Sequence, residues 1–108
     1  MPLLNEDFSK FLDEEISALF RIIGVIPHSS DKFVLIFETI GLEPNKTINR
    51  GFDLHSPTYR WLVKKALGWK EFYHEVSPYL LLGKTVYASS RFVRKKKNRT
   101  CLVLTKFK

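Results

Sequence analysis

A run of basic side chains near the end of the sequence has the plainest chemistry in the chain. Residues 94–99 read Arg-Lys-Lys-Lys-Asn-Arg, which places five positive charges in six positions. Because like charges repel and cannot be buried unpaired, this segment must lie in water or against an anion. Asn98 is a common turn residue, so a solvated turn accounts for the run as well as an anionic ligand does.

The residues on either side of this run predict two β-strands. Residues 85–93 and 101–107 are rich in β-branched and aromatic side chains, which suit a pleated surface. We therefore predict that residues 84–108 form a basic hairpin whose connection is the run 94–99. The remainder of the chain would act as the scaffold that presents it.

The net charge of +7 is distributed unevenly along the 108 residues. Residues 1–54 carry five Lys and Arg against nine Asp and Glu, whereas residues 55–108 carry thirteen against two. This asymmetry indicates a polyanionic partner for the second half, partial neutralisation of one half by the other, or both. With 44% hydrophobic and 14% aromatic residues, the chain is expected to fold as one domain over 1–108.

Several functional classes are disfavoured by the residues present. The lone Cys101 allows neither a disulfide framework nor a zinc motif, and we expect it to be a small core residue. Gly83-Lys84 lacks the earlier glycine of a phosphate-binding loop, and the three histidines have no ligand-like spacing. We expect no enzyme, no cofactor and no metal. No secretory or membrane-spanning segment is apparent, so we expect a cytoplasmic protein.

The N-terminal segment predicts a short acidic helix over residues 5–14, within an N-terminal unit of residues 1–15. Asn5 can cap it, and Glu6 and Asp7 fall in its first turn, where the helix dipole favours negative charge. Its apolar stripe can close the core or bind a protein partner. The stripe consists of Phe8, Phe11 and Leu12.

Three strands are predicted next, over residues 16–26, 33–42 and 46–54, and Gly24 permits a bulge in the first. The third strand is rich in polar residues, so one of its faces is expected in solvent. We expect that face to offer three side chains to a ligand: Lys46, Arg50 and Phe52.

A helix is predicted over residues 57–67. Ser56 suits the N-cap, Pro57 suits the first helical position, and Gly68 suits a left-handed residue after the last turn. The basic residues of this helix are interpreted as a solvated face. An extra helical turn or two is expected within residues 69–76.

The resulting order is strand, strand, strand, helix, strand, strand. It is the order of the OB-fold, a partly open five-stranded Greek-key barrel. An α+β sandwich on an antiparallel sheet would have the same strand count. The fold class is therefore predicted as mainly β, an OB-fold-like barrel with a short N-terminal helix.

Four segments support a family resemblance: the strand pair 17–24 and 33–38, the helix 56–69 that ends in Leu-Gly-Trp, and the segment 80–88 with its Leu-Gly-Lys step. Together they resemble the small OB-fold proteins of phage and mobile-element replication modules, which are relatives of single-stranded-DNA-binding proteins. The resemblance covers about residues 16–107. It implies an OB-fold and single-stranded-DNA binding, in the host-cell cytoplasm if the protein is phage-encoded, and it transfers no catalytic residue.

On this fold the basic run becomes the loop between strands four and five, and residues 28–32 become the loop between strands one and two. These two loops flank the surface with which OB-folds bind oligonucleotides. We expect phosphate contacts from the basic residues and base stacking from Tyr87, Phe92 and Phe52. The candidate nucleic-acid-binding residues are Arg91, Arg94, Lys95, Lys96, Lys97, Arg99, Lys46, Arg50, Tyr87 and Phe92.

The leading hypothesis is thus a non-enzymatic module for single-stranded DNA with weak sequence preference. RNA shares the same electrostatics and stays open as a ligand. The alternative is an accessory or inhibitory factor of a mobile element that docks a protein partner through the basic hairpin or the N-terminal helix. The sequence leaves the oligomeric state undetermined.

Overall fold

A five-stranded antiparallel sheet and one α-helix make up the regular structure of the part of the chain that is described. The computed structural model describes residues 10–95 and 99–108, and of Lys95 only the backbone. The strands are β1 (Ser17–Pro27), β2 (Lys32–Ile40), β3 (Thr47–Asp53), β4 (Thr85–Lys95) and β5 (Arg99–Thr105). The helix α1 spans Pro57–Leu67, and a short 3₁₀ helix spans Pro78–Leu81. The predicted mainly-β class and order of elements are confirmed.

The strands lie in the order β3-β2-β1-β4-β5, so β3 and β5 are the edges of the sheet. β1 changes register against β2 between Ile22 and Gly24, which confirms the predicted irregularity at this glycine. A side chain at Gly24 would come within 2.9 Å of the Cδ1 atom of Ile36. β1 and β2 therefore lie close together at this bulge, and the glycine at position 24 leaves room for the Ile36 side chain.

The helix α1 begins and ends as its sequence predicts. The Ser56 hydroxyl accepts a hydrogen bond from the backbone N–H of Tyr59, and Pro57 occupies the first turn. Gly68 adopts a left-handed conformation with φ +70°, and its N–H donates to the carbonyl of Lys64. No helix forms over residues 69–76, so the expectation of further helical turns there is wrong.

The core lies between the inner face of the sheet and α1. Alternate residues of β1, β2 and β4 point inward, as the period of two in a strand requires. Aromatic rings occupy much of this core, and Phe107 lies against both Phe37 and Phe52. The fully or nearly buried side chains include Phe20, Ile22, Leu35, Phe37, Tyr59, Leu62, Val63, Leu81, Ala88 and Leu104.

Two parts of the predicted architecture need correction. The sheet is not closed into a barrel, because no backbone ladder joins the edges β3 and β5 among the described residues. The predicted N-terminal helix is wrong over residues 11–15, where Phe11 instead forms an isolated parallel bridge with Thr47. The rest of that prediction, on residues 1–9, lies outside the described part of the chain.

The bridge has a physical reason. The backbone N–H of Leu12 donates to the carbonyl of Thr47 at 2.7 Å, so the segment satisfies polar groups at the open edge of β3. Leu12 itself is buried in the core, while Phe11 is exposed. Within the described residues, no helix is both long enough and apolar enough to cross a bilayer.

Candidate functional site

An open groove separates the edge strand β3 from the hairpin of β4 and β5. Its volume is about 520 Å³. One wall is Asn49, Arg50 and Gly51 of β3, and the opposite wall consists of Val93, Cys101, Leu102 and Val103. The groove therefore runs along the line where the sheet fails to close.

The hairpin that forms one wall extends beyond the rest of the sheet. β1 begins at Ser17, which pairs with Ser89 of β4, whereas β4 continues to Lys95 and pairs there with Arg99. Residues 90–95 and 99–104 thus form a two-stranded arm, which we call the basic arm. Residues 96–98, including the candidate residues Lys96 and Lys97, lie outside the described part of the chain, as does the side chain of Lys95.

Arginines are exposed on both faces of the basic arm. Residues directly opposite in an antiparallel ladder share a face, and successive residues alternate. Arg91 pairs with Val103, while Arg94 pairs with Thr100 and lies on the other face. Since Arg91, Arg94 and Arg99 are all exposed, positive charge is available to an anion on either face.

Phe92 carries an aromatic ring at the base of the basic arm. Its side chain is 50% exposed, and it lies opposite Leu102, which lines the groove. Tyr87 is also exposed, on the same β4 face as Arg91, with the ammonium of Lys108 6.0 Å from its ring centroid. Both predicted stacking residues of β4 are therefore accessible to a planar ligand.

Arg50 has a structural role as well as a place in the groove. Its Nε–H donates to the carbonyl of Leu104 at 3.0 Å, and a terminal N–H donates to the carbonyl of Gly51 at 2.7 Å. The guanidinium also lies over the ring of Phe52, and desolvation lowers the pKa of this arginine from its ordinary value. These two bonds use two of its five N–H groups, and the bond to Leu104 connects the open edges β3 and β5.

The other two side chains that were expected to contact a ligand from the third strand are Phe52 and Lys46. Phe52 is only 6% exposed and packs among Phe33, Phe37, Tyr59 and Phe107, so its predicted role in base stacking is wrong. The exposed side of β3 is instead the side of Asn49 and Gly51. Lys46 precedes β3, and its backbone N–H donates to the hydroxyl of Thr39.

Asn49 and Gly51 were missed as site residues although the sequence contains a signal for them. They alternate with Ile48 and Phe52, which are both buried, and a strand with two large apolar residues on one face turns the other face to solvent. The positive charge of Arg50 favours the other face in the sequence analysis. The glycine leaves the surface open, since a Cβ there would meet only the carbonyl oxygen of Phe33, at 4.0 Å.

The acidic segment before β1 contacts the base of the basic arm. The Glu15 carboxylate accepts a hydrogen bond from the Phe92 N–H at 2.7 Å. Next to it, the Ser90 hydroxyl donates to the carbonyl of Glu14 and accepts from the N–H of Ile16. The charge asymmetry of the sequence is thus expressed, in part, as contact between an acidic and a basic segment.

A second group of polar residues lies around the turn between β1 and β2. His55 approaches two carboxylates, Glu75 at 3.0 Å and Asp31 at 3.7 Å, and together they link the β1–β2 turn to the segment after α1. A mostly apolar cavity of about 440 Å³ lies beside them, with walls that include Phe33, Leu54 and Val76. Within the described ranges, no group of three or more His, Cys, Asp and Glu side chains is arranged to hold a metal ion.

Cys101 lies on the groove wall and is partly exposed, so the expectation of a core cysteine is wrong. It pairs with Val93, and this pair lies on the opposite face of the arm from the pair of Phe92 and Leu102. Comparison with known proteins adds no family assignment, since no protein-family model and no curated protein sequence matches the chain.

Proposed function

We propose that the protein is a non-enzymatic OB-fold module that binds single-stranded nucleic acid, with DNA favoured and with little sequence preference. The observation that carries this proposal is the groove between Asn49–Gly51 and a two-stranded arm with exposed arginines on both faces. An extended strand can lie in such a groove with its phosphates against the arm. The arm alone would fit any anion, and the open groove adjoining it favours an extended chain.

The topology supports the OB-fold part of the proposal. The strand order β3-β2-β1-β4-β5, with α1 between β3 and β4, is that of a Greek-key barrel left partly open between its two edge strands. Here the Arg50 side chain spans that opening by donating to Leu104. In OB-folds the ligand surface adjoins this region and the loop between β4 and β5.

Electrostatic and stacking contributions would then act together. Arg91, Arg94 and Arg99 would neutralise phosphates and release counterions, which gives affinity without sequence preference. Exposed aromatic rings add about 1–3 kcal/mol for each stacked base, and this term is also tolerant of sequence. Phe92 is placed for that role because half of its side chain is exposed beside the groove.

The experiment is a fluorescence anisotropy titration of a labelled single strand of about 30 nucleotides, a site long enough for one OB-fold. If the protein neutralises about five phosphates, affinity should fall roughly a hundredfold between about 50 and 200 mM salt. A duplex and an RNA strand of the same sequence serve as competitors. Weak binding to all three at low salt would overturn the proposal. A preference for RNA would make RNA the ligand instead of DNA.

Charge-removing variants locate the contact. Arg94→Gln and Arg99→Gln together should lower the salt slope by about 1.4, because each lost single-strand contact contributes about 0.7. Lys84→Gln is a matched control: Lys84 is exposed and precedes β4, about 33 Å along the strand from Arg94. Equal losses in the control and in the arm variants would show that net charge, not the arm, governs binding.

A second candidate is a protein-interaction module, an accessory or inhibitory factor of a mobile element. The observation in its favour is the outer face of β1, where the large apolar side chains Leu19, Ile23 and Ile26 are exposed along the strand, with Arg21 between the first two. Affinity capture repeated after nuclease treatment separates the candidates. A protein that stays bound to the wild-type chain but not to a Leu19→Ser/Ile23→Ser variant would favour this second function.

A further inference from the structure

The helix α1 presents an exposed tryptophan between two lysines. Trp61 is 45% exposed, and the ammonium groups of Lys64 and Lys65 lie 4.5 and 4.7 Å from its ring centroid. Residues three and four positions apart are neighbours on a helix surface, so this arrangement follows from the sequence spacing. The sequence alone predicts that these lysines lie on a solvated face of the helix.

The indole ring is held in a fixed orientation. Its Nε1–H donates to the backbone carbonyl of Phe107 at 2.7 Å. Phe107 is itself 3% exposed and stacked against Phe37 in the core, and it follows Lys106, whose φ of +54° turns the chain inward after β5. One edge of an aromatic platform is therefore anchored to the core of the protein.

The surroundings of this platform are basic. No acidic residue lies in α1, whose sequence is Pro-Thr-Tyr-Arg-Trp-Leu-Val-Lys-Lys-Ala-Leu. A shallow depression of about 310 Å³ adjoins Trp61 and is bounded on its far side by Thr105 and Lys106 at the end of β5. An anion with a flat, apolar portion could stack on the Trp61 ring and pair with the neighbouring lysines at this position.

We propose that Trp61 is a second nucleotide-binding platform, on which a base stacks while Lys64 and Lys65 bind the adjoining phosphates. This inference rests on the proposed function and extends it to the helix side of the molecule. A base can displace the lysines from the ring because stacking is stronger than an exposed cation–π contact, and the released ammonium groups are then free for phosphate.

The platform lies within reach of a strand bound at the basic arm. β5 begins at Arg99 in the arm and is followed by Phe107, which contacts Trp61. β5 spans Arg99–Thr105, which is about 20 Å of extended chain, and Phe107 follows two residues after its end. One OB-fold module covers about 4–16 nucleotides, so a single strand following β5 can touch both places.

Tryptophan emission tests the proposal directly, because the chain contains two tryptophans, Trp61 and Trp69. A Trp69→Phe variant keeps an aromatic ring beside Tyr73 and His74 and leaves Trp61 as the only indole. A 30-nucleotide oligothymidine labelled with a dye should quench Trp61 in step with the rise in dye anisotropy. If anisotropy rises and saturates while Trp61 emission stays constant, the platform is overturned and the groove alone binds. If anisotropy does not rise, the proposed function fails first, and the platform with it.

Charge variants provide an independent measurement that does not rely on Trp61 emission. Lys64→Gln and Lys65→Gln should each reduce the salt slope for the 30-nucleotide strand by about 0.7. Arg60→Gln is the matched control on the same helix, since its guanidinium lies over the ring of Phe72 and away from Trp61. A slope unchanged in the two lysine variants, or reduced equally in all three, would overturn the assignment.

Discussion

The carboxylate of Glu15 accepts a hydrogen bond from the backbone N–H of Phe92 at 2.7 Å. This contact fixes the start of β1 to the base of the basic arm, where β4 no longer has β1 as a neighbour. It also places a negative charge beside residues proposed to bind phosphate. The Glu15 side chain thus accepts a hydrogen bond from the exposed part of β4, and its charge repels an anionic ligand.

We expect Glu15→Gln to bind single-stranded DNA about twofold to fivefold more tightly than wild type. Glutamine keeps an oxygen that can accept from Phe92, while it removes a charge whose repulsion at the surface is worth up to about 1 kcal/mol. Asp13→Asn is the matched control, since Asp13 is exposed in the same segment. A gain in Asp13→Asn as large as in Glu15→Gln, measured by anisotropy at low salt, would indicate a general charge effect.

A side chain placed at Gly51 should block the groove without harming the fold. Its Cβ would meet only the Phe33 carbonyl oxygen, at 4.0 Å, and valine suits a strand better than glycine does. We expect Gly51→Val to match or exceed the wild-type free energy of unfolding in urea and to lose at least tenfold in affinity for DNA. Gly51→Ala should bind DNA with an affinity between those of the wild type and of Gly51→Val. Undiminished binding by a folded Gly51→Val protein would remove the groove from the proposed site.

Arg50→Lys should lower the free energy of unfolding. It should have little effect on the salt dependence of binding, because the positive charge is kept. A lysine has no planar fork with which to reach both Leu104 and Gly51, so a bond between the open edges is lost. We expect the free energy of unfolding to fall by about 1–3 kcal/mol, as for a hydrogen bond made by a charged group. Arg21→Lys, at an exposed position of β1, is the control and should leave the urea midpoint nearly unchanged.

Local signals in the sequence were sufficient for several elements. Ser56, Pro57 and Gly68 determine α1 through interactions with their immediate neighbours, which is why its limits were predicted. The irregularity at Gly24 and the alternation in β1, β2 and β4 are equally local. Such features depend on backbone conformation and side-chain period and need no knowledge of distant contacts.

Features that depend on tertiary contacts could not be predicted in this way. Phe11 and Leu12 have helix-compatible spacing with Phe8, yet the open edge of β3 supplies a backbone partner that holds them in a bridge with Thr47. Arg50 was expected in solvent because it is charged, but the gap between β3 and β5 places its guanidinium between two carbonyls. The basic run was identified by charge alone, while the groove beside it required the relative position of β3 and the arm.

Tyr59 offers a prediction about the dependence of stability on pH. Its hydroxyl donates to the Val76 carbonyl at 2.7 Å in the core, and burial raises the pKa of this phenol above its ordinary value near 10. The folded state therefore holds the proton more tightly than the unfolded state, so the stabilisation is complete below about pH 10 and is lost as the pH rises above it.

Tyr59→Phe isolates this effect from the titration of the lysines. The variant leaves the Val76 carbonyl without its donor, which should cost about 1–3 kcal/mol at pH 7. Above about pH 10 the wild type should lose stability faster than the variant, because only the wild type must accommodate an ionising phenol in the core. Urea unfolding at pH 7, 9, 10 and 11 measures both curves. Parallel curves would show that the Tyr59 phenol ionises as readily in the folded protein as in the unfolded chain.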